Sequence, residues 1–381
     1  MQNIISKLPE VSTTIFTVMS KMANEYNAIN LSQGFPNFET NPELIDLVTH
    51  AMKKGYNQYA PMPGLLSLRE IIAEKTNTLY ESNYHPDTEV TVTAGATQAI
   101  FTIISAFINP GDEVIIFKPA YDSYEPSIEL FGGTIVPIQL SAPGFTVDWQ
   151  EVASKITSKT KMMIINTPHN PSGTILSKED MLQLQKLLTN TDIILLSDEV
   201  YEHIVFDDQE HQSIARFPGL IERSFITASF GKTFHTTGWK MGYCIAPKEL
   251  MREFRKVHQF NVFCTSHPMQ HALSEFLKTP DNYLSLPNLF QQKRDLFLSL
   301  IKDSKFIYTP AAGTYFQLLN YTRITNENDI TFAEKLTKEH KIASIPVSVF
   351  NLNQQDDKVL RFCFAKTDDT LKRAAEVLCK I

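Results

Sequence analysis

Residues 161–198, KMMIINTPHNPSGTILSKEDMLQLQKLLTNTDIILLSD, contain two short apolar runs on either side of a helical pattern. The runs KMMIIN and DIILLSD have strand length and are apolar on both faces, which is typical of strands in a parallel sheet covered by helices. The segment MLQLQKLL between them predicts a crossover helix. Strand, helix and strand in this order predict a layered α/β domain.

The same alternation of strands and helices extends towards both ends of this stretch. NPELIDLVTHAMKKG predicts a helix that ends at Gly55, and SLREIIAEKTNTLY predicts another helix. EVTVTAGATQAIFTIISAFI predicts a strand that runs into a helix, and EVIIF and SFITASF predict further strands. We therefore expect one large domain over residues 36–285.

The pattern changes after about residue 285. LFQQKRDLFLSLIKDS, TFAEKLTKEH and TLKRAAEVLCKI predict helices, and GTYFQLLNY and VLRFCFA predict strands. This order predicts a smaller α+β domain over residues 286–381. We expect the N-terminal segment, residues 1–35, to pack with that small domain.

Composition excludes several classes of protein. Among 381 residues, 43% are hydrophobic and 20% are charged, which is typical of a soluble globular chain with a large core. The net charge of −7 argues against a nucleic-acid surface. No run of apolar residues is long enough to predict a membrane span, and the N-terminus does not resemble a signal peptide. Four cysteines without a CxxC pair predict reduced thiols in a cytoplasmic protein.

The first motif that could bind a ligand is TVTAGATQAIF, residues 91–101, where a predicted strand is followed by a helix. N–H groups at the start of a helix favour an anion, and small residues let a phosphate approach. A tight strand-to-helix turn without a ligand explains the pattern equally well. The chain has neither a GxGxxG nor a GxxxxGKS/T motif, which disfavours a dinucleotide site or a P-loop.

The second motif is NTPHNPSG, residues 166–173, directly after a predicted strand. Ligands bind at strand ends in open α/β sheets, and the amide of Asn170 can donate a hydrogen bond to one. Because Asn-Pro and Ser-Gly are common turn dipeptides, an ordinary turn is the alternative.

The third motif is Asp198 at the end of the strand DIILLSD. A carboxylate buried there needs a partner, which a protonated pyridine nitrogen or a plain Arg or Lys ion pair would supply. A metal site that combines Asp198 with Glu199 and His203 is a weaker alternative, because successive strand residues point to opposite faces.

The fourth motif is SFGKTFHTTGWKMGY, residues 229–243, which places two lysines after an apolar run. A lysine that bonds covalently to a carbonyl carbon must be available in its neutral form, which desolvation and nearby positive charge favour. The setting of Lys232 among small and aromatic residues fits this requirement. A solvated surface lysine is the commoner case, so Lys232 taken alone carries little weight.

The order of the four motifs is more specific than any of them. The chain resembles the pyridoxal-phosphate-dependent class I aminotransferases of fold type I over nearly its whole length. The resemblance implies the cofactor pyridoxal 5′-phosphate, held in a large, mainly parallel sheet domain with helices on both faces, and a smaller α+β domain. It implies that Lys232 bonds to the cofactor and carries a proton during turnover. It also implies that Asp198 pairs with the ring nitrogen, and that Tyr201 and Asn170 hydrogen-bond the phenolic oxygen.

The resemblance also implies how the phosphate is held. Ala96 and Thr97 contribute backbone N–H groups and a hydroxyl, and Ser229 contributes a second hydroxyl. The family usually has an arginine in the pattern GxRxG where this chain has Lys240 in GWKMG. Lysine supplies the charge but not the two-pronged geometry of a guanidinium, so we expect phosphate contact with a less fixed geometry.

Four further residues match positions of the family's site. Tyr121 stacks on the cofactor ring, and Tyr59 reaches the phosphate of the other subunit, which implies a homodimer. Arg361, together with Asn170, pairs with the substrate carboxylate, and the backbone of Gly34 lines the pocket. Without the resemblance, Tyr121 is a core aromatic and Arg361 forms an ordinary salt bridge.

Within the family, INLSQGFPNF, NQYAPMPGLLSLRE and FGKTFHTTGWKMGY look most like the methionine aminotransferases. Their branch also holds glutamine–phenylpyruvate and kynurenine aminotransferases and takes large neutral or aromatic amino acids, with a 2-oxo acid as acceptor. Phe16, Phe35 and Tyr59 are candidates for an apolar substrate pocket, and core packing explains the two phenylalanines equally well.

Three alternatives remain at this point. A lyase on the same scaffold, such as a cysteine-S-conjugate β-lyase, shares the first chemical steps. A cofactor-binding regulator needs an added DNA-binding domain, which the acidic charge and the chain length disfavour. A nicotinamide-dependent dehydrogenase is disfavoured by the missing glycine motif.

Overall fold

The computed structural model describes residues 5–381. The described part contains twelve strands: β1 (Ile29–Asn30), β2 (Val90–Thr93), β3 (Glu113–Lys118), β4 (Thr134–Gln139), β5 (Thr160–Asn166), β6 (Ile194–Asp198), β7 (Ser224–Ser229), β8 (Gly242–Ile245), β9 (Phe316–Asn320), β10 (Ile342–Ala343), β11 (Ile345–Pro346) and β12 (Val359–Cys363).

The same residues form sixteen α-helices: α1 (Ile15–Glu25), α2 (Pro42–Lys53), α3 (Leu66–Tyr80), α4 (Pro86–Glu89), α5 (Gly95–Phe107), α6 (Tyr124–Leu130), α7 (Trp149–Lys155), α8 (Lys178–Leu188), α9 (Pro218–Ile221), α10 (Phe230–Thr233), α11 (Lys248–Asn261), α12 (His267–Phe276), α13 (Asp281–Leu284), α14 (Leu286–Ile301), α15 (Asp329–Lys338) and α16 (Asp368–Leu378). No helix in the described range is long and apolar enough to cross a bilayer.

A seven-stranded sheet forms the centre of the fold, in the order β2-β8-β7-β6-β5-β3-β4. The strands from β7 to β4 in this order pair in parallel, whereas β8 runs antiparallel to both of its neighbours, β7 and β2. The predicted β-α-β unit is present as β5, α8 and β6. The α/β fold class with a large, mainly parallel sheet is therefore confirmed.

Helices cover both faces of this sheet, as predicted. Alternate residues of β3 and β5 point to opposite faces, so Ile115 and Met163 join one apolar cluster and Val114 and Met162 join another. Helices α3, α8 and α12 contribute to the first cluster, and α5, α6 and α11 contribute to the second. Burial on both faces explains why these strands are continuously apolar in the sequence.

Local signals in the sequence explain where the helices begin and end. Helix α8 starts at a capping box, in which Ser177 Oγ accepts a hydrogen bond from Asp180 N (3.1 Å) and Asp180 Oδ2 accepts one from Ser177 N (2.9 Å). Helix α2 ends at Lys53, two residues before Gly55, whose φ of +92° suits glycine.

A second, smaller sheet has the antiparallel order β11-β12-β9. Helices α14, α15 and α16 lie in the same part of the sequence, as predicted for residues 286–381. Near the N-terminus, β1 pairs in parallel with β10, which joins residues 29–30 to the C-terminal part of the chain. The bounds of the three segments, residues 1–35, 36–285 and 286–381, stay predictions, and residues 1–4 of the first segment lie outside the described residues.

Two strands of the large sheet were not predicted. Strand β4 is an edge strand that contains Pro137 and exposed positions, so it lacks the apolar signal of the inner strands. Strand β8 has only four residues and follows directly on the loop of the lysine motif. Its antiparallel direction depends on long-range pairing and is not visible in the sequence.

Candidate active site

The carboxyl ends of β5, β6 and β7 meet at one edge of the large sheet. Asn166 is the register partner of Asp198, and Asp198 is the register partner of Thr227. The turn that leads from β2 into α5 reaches the same edge, because β2 and β7 flank β8 in the same direction. The four predicted motifs are therefore brought together by the sheet.

A cleft of about 150 Å³ lies at this edge. It is lined by nine of the predicted residues: Ala96, Thr97, Tyr121, Asn170, Asp198, Tyr201, Ser229, Lys232 and Lys240. A wider adjoining cleft of about 550 Å³ contains Gly34 and Arg361 and shares Tyr121, Asn170, Tyr201 and Lys232 with the first. We call them the inner cleft and the outer cleft.

Lys232 lies in the short helix α10, directly after β7. Its backbone N–H donates to Ser229 Oγ (3.4 Å), and its Nζ donates to the carbonyl oxygen of Gly34 (3.0 Å). Burial, together with the positive charges of Arg361 and Lys240, lowers the pKa of the Lys232 ammonium to about 8. A larger fraction of this amine is therefore neutral, and so nucleophilic, near neutral pH than in an ordinary lysine.

Asp198 is buried at the end of β6, with 4% of its surface exposed. Its Oδ2 accepts a hydrogen bond from Tyr124 Oη (2.6 Å), and its Oδ1 accepts one from Val200 N (3.3 Å). Burial raises the pKa of the carboxyl to about 6 in spite of these hydrogen bonds. No lysine or arginine of the described residues forms an ion pair with Asp198, so the carboxylate is suited to a cationic ligand group.

Two positive features face each other at the start of α5. A Cβ built on Gly95 would lie 3.7 Å from Lys240 Nζ, which places this ammonium beside the first turn of the helix. The N-terminus of a helix carries partial positive charge, so a cation placed there is unfavourable unless an anion lies between them. Ala96, Thr97 and Lys240 together therefore fit an anionic group such as a phosphate.

Arg361 extends from β12 into the outer cleft and is 1% exposed. Its Nη1 donates to Asn170 Oδ1 (2.7 Å) and its Nη2 to the carbonyl oxygen of Ser32 (3.1 Å). The guanidinium carbon lies 3.9 Å from the ring centre of Phe316 and 5.1 Å from that of Phe16. Its Nε has no hydrogen-bond partner among the described residues, so a donor remains for a carboxylate.

Two tyrosines, Tyr121 and Tyr201, border the inner cleft. Tyr121 Oη lies 3.3 Å from Thr97 Oγ1, so the ring is tied to the start of α5. Tyr201 is buried, and its ring centre lies 5.7 Å from Lys232 Nζ. Burial raises the pKa of both phenols, so both hydroxyls are protonated hydrogen-bond donors at neutral pH.

Tyr59 lies apart from both clefts of its own chain. It is 81% exposed, and its ring makes an edge contact with Phe263, which is itself 43% exposed. Of the three residues predicted for an apolar pocket, Phe16 and Phe35 line the outer cleft and Tyr59 does not.

The residues of the alternative metal site do not converge. Asp198 faces the inner cleft, whereas Glu199 contacts His211 Nε2 (2.7 Å) and accepts a hydrogen bond from Ile214 N (3.1 Å). His203 lies 3.1 Å from the ammonium of Lys75. Residues 5–381 contain no group of three potential metal-ligating side chains.

A family model described as aminotransferase class I and II matches residues 26–378. The chain belongs to this family. Methionine aminotransferase of Escherichia coli is 46% identical over 374 residues, which cover 98% of this aminotransferase and 97% of the relative. Human kynurenine–oxoglutarate transaminase 3 is 34% identical over 404 residues, which cover 98% and 89% of the two chains.

Solved structures support the same assignment. The crystal structure of an E. coli protein identified as having methionine aminotransferase function superposes with a TM-score of 0.97 at 46% identity, and it covers 99% of both chains. An aspartate aminotransferase of Thermus thermophilus superposes with a TM-score of 0.91 at 27% identity over the full length of both chains. The predicted family and fold type are thus confirmed for this aminotransferase.

The family depends on pyridoxal phosphate, and the inner cleft of the aminotransferase fits this group. A buried carboxylate that has no cationic partner in the described part of the chain, an amine with a lowered pKa, and a positive cradle at the start of α5 are arranged around one cavity. These features match the ring nitrogen, the aldehyde carbon and the phosphate of the cofactor respectively.

Three residues of the aminotransferase site were missed in the sequence. Tyr124 holds Asp198, and Asn166 accepts a hydrogen bond from Asn170 N (2.8 Å) and donates one to the carbonyl oxygen of Asp198 (2.8 Å). Tyr315 Oη donates to the carbonyl oxygen of Gly34 (2.6 Å). Of the three, only Asn166 could have been found in the sequence, because it is the last residue of a predicted strand and ligands bind at strand ends. The other two contacts join distant parts of the chain.

Proposed function

We propose that this aminotransferase transfers the amino group of methionine, or of another large neutral or aromatic amino acid, to a 2-oxo acid. The observation that carries the proposal is the arrangement of Lys232, Asp198 and Arg361 around two joined clefts. The aromatic rings of Phe16, Phe35 and Phe316 on the outer cleft favour an apolar substrate side chain. The 46% identity to a methionine aminotransferase points in the same direction.

Pyridoxal phosphate, when bound, supplies an electron sink for the pair of electrons released at the substrate Cα. In our proposal, Lys232 would hold the cofactor covalently, and its amine in the neutral form would accept and donate the proton that leaves the substrate Cα. Asp198 keeps the ring nitrogen protonated. Tyr201 and Asn170 donate hydrogen bonds to the phenolic oxygen, and Tyr121 packs against the ring face.

The remaining roles concern binding. Ala96, Thr97 and Ser229 hold the phosphate by hydrogen bonds, and Lys240 supplies its counter-charge. Arg361 holds the substrate carboxylate, and the hydrogen bond from Arg361 Nη1 to Asn170 Oδ1 keeps these two side chains in contact. The carbonyl oxygen of Gly34 holds the Lys232 amine in place.

A panel of amino donors against several 2-oxo acids tests the substrate proposal. We expect methionine and aromatic amino acids to be converted with higher kcat/KM than aspartate. Kynurenine belongs in the panel because kynurenine–oxoglutarate transaminases are 32–34% identical to the chain. Cysteine S-conjugates belong there too, since pyruvate, ammonia and a thiol as products would indicate a β-lyase. A preference for aspartate would contradict the proposal.

Replacing Arg361 by lysine tests the carboxylate role. Lysine keeps the charge but loses the paired hydrogen bonds, so we expect kcat/KM for the amino donor to fall roughly 10- to 100-fold, mainly through KM. Arg294→Lys is the matched control, because Arg294 is also buried and pairs with Asp207 (2.6 Å) outside both clefts. An unchanged KM in Arg361→Lys would remove Arg361 from substrate binding.

The lowered pKa of Lys232 predicts how cofactor uptake depends on pH. Only the neutral amine attacks the cofactor aldehyde, so the uptake rate of the apoenzyme should rise about tenfold per pH unit below pH 8 and then level off. Stopped-flow absorbance measures this rate directly. A rate that still rises tenfold per unit above pH 9 would show that burial does not lower the pKa.

We further propose a homodimer in which Tyr59 reaches the phosphate of the partner subunit. Its 81% exposure and its position outside both clefts of its own chain support this role. Tyr59→Phe should weaken cofactor binding about tenfold, which equilibrium dialysis measures, and should leave the dimer seen by ultracentrifugation intact. Tyr56→Phe serves as the control. A monomeric wild type would refute the proposal.

We expect the enzyme to work in the cytoplasm. Its four cysteines form no disulfide, which suits a reducing compartment.

A further inference from the structure

A buried polar cluster lies next to the active-site loops but lines neither cleft. Lys75 Nζ of α3 donates to Glu202 Oε1 (2.7 Å) and to Tyr243 Oη (2.7 Å), and it lies 3.1 Å from His203 Nε2. The hydroxyl of Tyr243 donates to the same Glu202 oxygen. Tyr80 Oη donates to the second oxygen, Glu202 Oε2 (2.9 Å). We call Lys75, Glu202 and Tyr243 the clamp.

The clamp contains two opposite charges that are almost completely removed from water. The side chains of Lys75 and Glu202 are 4% and 7% exposed. Burial alone would raise the pKa of the Glu202 carboxyl, but the adjacent Lys75 charge and the hydrogen bonds to the carboxylate hold that pKa well below its usual range. Apolar side chains of the same size often stabilise a protein as well as a buried ion pair does. A contribution to folding stability therefore does not explain why a Lys75–Glu202 ion pair is buried at this position.

The clamp joins two loops that carry predicted cofactor residues. Glu202 follows Tyr201 in a tight turn, in which Ile204 N donates to the carbonyl oxygen of Tyr201 (2.8 Å). Tyr243 follows Gly242 at the start of β8, only three residues after Lys240. A Cβ built on Gly242 would lie 3.0 Å from the Cα of Gly95, so β8 is pressed against the turn into α5.

The two sides of the turn after β6 thus have different tasks. Tyr201 faces the inner cleft, while the next residue, Glu202, is held from behind by groups on α3 and β8. We propose that the clamp is a positioning element, which fixes Tyr201 so that its hydroxyl stays directed at the phenolic oxygen of the cofactor. The inference rests on the proposed function, since it assigns a support to one of the residues proposed there.

The pKa of the Lys232 nitrogen reports whether Tyr201 is in place, because that pKa depends on the charges and hydrogen bonds around it. Arg361 and Lys240 disfavour a proton on this nitrogen, whereas Asp198 favours one. The rings of Tyr201 and Tyr315 also lie within 6 Å of Lys232 Nζ. A hydrogen bond from Tyr201 would stabilise the phenolic oxygen of the cofactor as an anion. The negative charge on that oxygen would then attract a proton on the neighbouring nitrogen less strongly, so the pKa of this nitrogen would be lower. Displacing Tyr201 should therefore raise the pKa of the cofactor-linked nitrogen.

The experiment is an absorbance titration of the enzyme loaded with pyridoxal phosphate. Tyr243→Phe removes one hydroxyl and breaks the link between β8 and Glu202, while α3 stays linked through Lys75 and Tyr80. We expect the titration midpoint to rise by about one pH unit, in the same direction as in Tyr201→Phe. Glu202→Gln should produce the same change and serves as the second variant if Tyr243→Phe does not fold.

A double variant shows whether the clamp acts through Tyr201. In Tyr201→Phe/Tyr243→Phe the midpoint should equal that of Tyr201→Phe alone, because no hydroxyl is left to be positioned. Tyr321→Phe is the matched control. It removes another buried hydroxyl, which donates to the carbonyl oxygen of Glu327 (3.1 Å) in the C-terminal part of the chain. It should lower the melting temperature without moving the midpoint.

Three outcomes would overturn the inference. An unchanged midpoint in Tyr243→Phe and Glu202→Gln, with a lowered melting temperature, would make the clamp purely structural. Additive shifts in the double variant would mean that the clamp acts by another route. No shift in Tyr201→Phe would remove the residue through which the clamp acts, although the enzyme would still bind cofactor. Failure of the proposed function is visible separately in the panel of amino donors, because a wild type that does not transfer the amino group of methionine can still show the cofactor absorbance that the titration follows.

Discussion

Replacing Lys232 by arginine should abolish turnover, with kcat reduced about 10⁴-fold. A guanidinium stays protonated at all accessible pH values, so it can neither bond to the cofactor nor accept the Cα proton. The size of the side chain and its positive charge are nearly preserved. The loss would therefore report the chemistry of the amine and not a change in packing or charge.

The covalent role has a direct measurement. Reduction of the cofactor-loaded wild type with borohydride, followed by peptide mass spectrometry, should place the cofactor on Lys232. The same treatment of Lys232→Arg should leave the protein unmodified, even if the cofactor binds non-covalently. A label on another lysine, or turnover close to wild type in Lys232→Arg, would show that Lys232 is not the reacting residue.

Lys240→Arg is the matched control for this substitution. Lys240 lies in the same segment and also borders the inner cleft, but its proposed role is a counter-charge to the phosphate. Its φ of 55° costs lysine and arginine the same backbone strain. We expect kcat within about tenfold of wild type, with cofactor affinity unchanged or improved by the guanidinium. The two lysines should thus respond oppositely to the same change.

Replacing Asp198 by alanine is expected to have the second-largest effect. Removal of one partner from a buried ion pair costs about 3–5 kcal/mol, so the rate of amino transfer should fall roughly 10²- to 10⁴-fold. Without the carboxylate the ring nitrogen loses its proton at neutral pH, and the cofactor becomes a weaker electron sink. Single-turnover absorbance with methionine isolates this step from product release.

Tyr124→Phe provides the control for Asp198. It removes the 2.6 Å hydrogen bond to Asp198 Oδ2 but leaves the negative charge in place. We expect a rate loss of only about tenfold, in line with one hydrogen bond to a charged group. If both variants lost the same activity, orientation of the carboxylate and not its charge would be the decisive property. A rate in Asp198→Ala close to wild type would exclude the proposed pairing.

Five of the seven strands of the large sheet (β2, β3, β5, β6 and β7) and the order of the chemical motifs could be predicted from the sequence. Strands β3, β5 and β6 are continuous apolar runs because they are buried on both faces, and that pattern is local. Asp198 and Lys232 follow such runs directly, so their position at the end of a strand is also a local property. The geometry of parallel strands then brings their ends to one edge.

Residues that approach the site from distant parts of the chain needed the family resemblance or the structure. Arg361 reaches Asn170 across 191 positions, and the carbonyl oxygen of Gly34 reaches Lys232 across 198. A strand arginine and a glycine have no local pattern that marks them as site residues. Their contacts depend on how the small sheet and the N-terminal segment pack against the large sheet.

The sequence by itself determined the α/β architecture, the aminotransferase family and the succession of turn, asparagine loop, aspartate and lysine along the chain. Only the tertiary structure decided how the charges of these residues are balanced. Within residues 5–381, it placed Asp198 without an ion-pair partner, Lys240 beside the positive start of α5, and Glu202 behind Tyr201 in contact with Lys75. The physical reason is that burial and electrostatic balance arise between elements distant in sequence, whereas hydrophobic periodicity arises within each element.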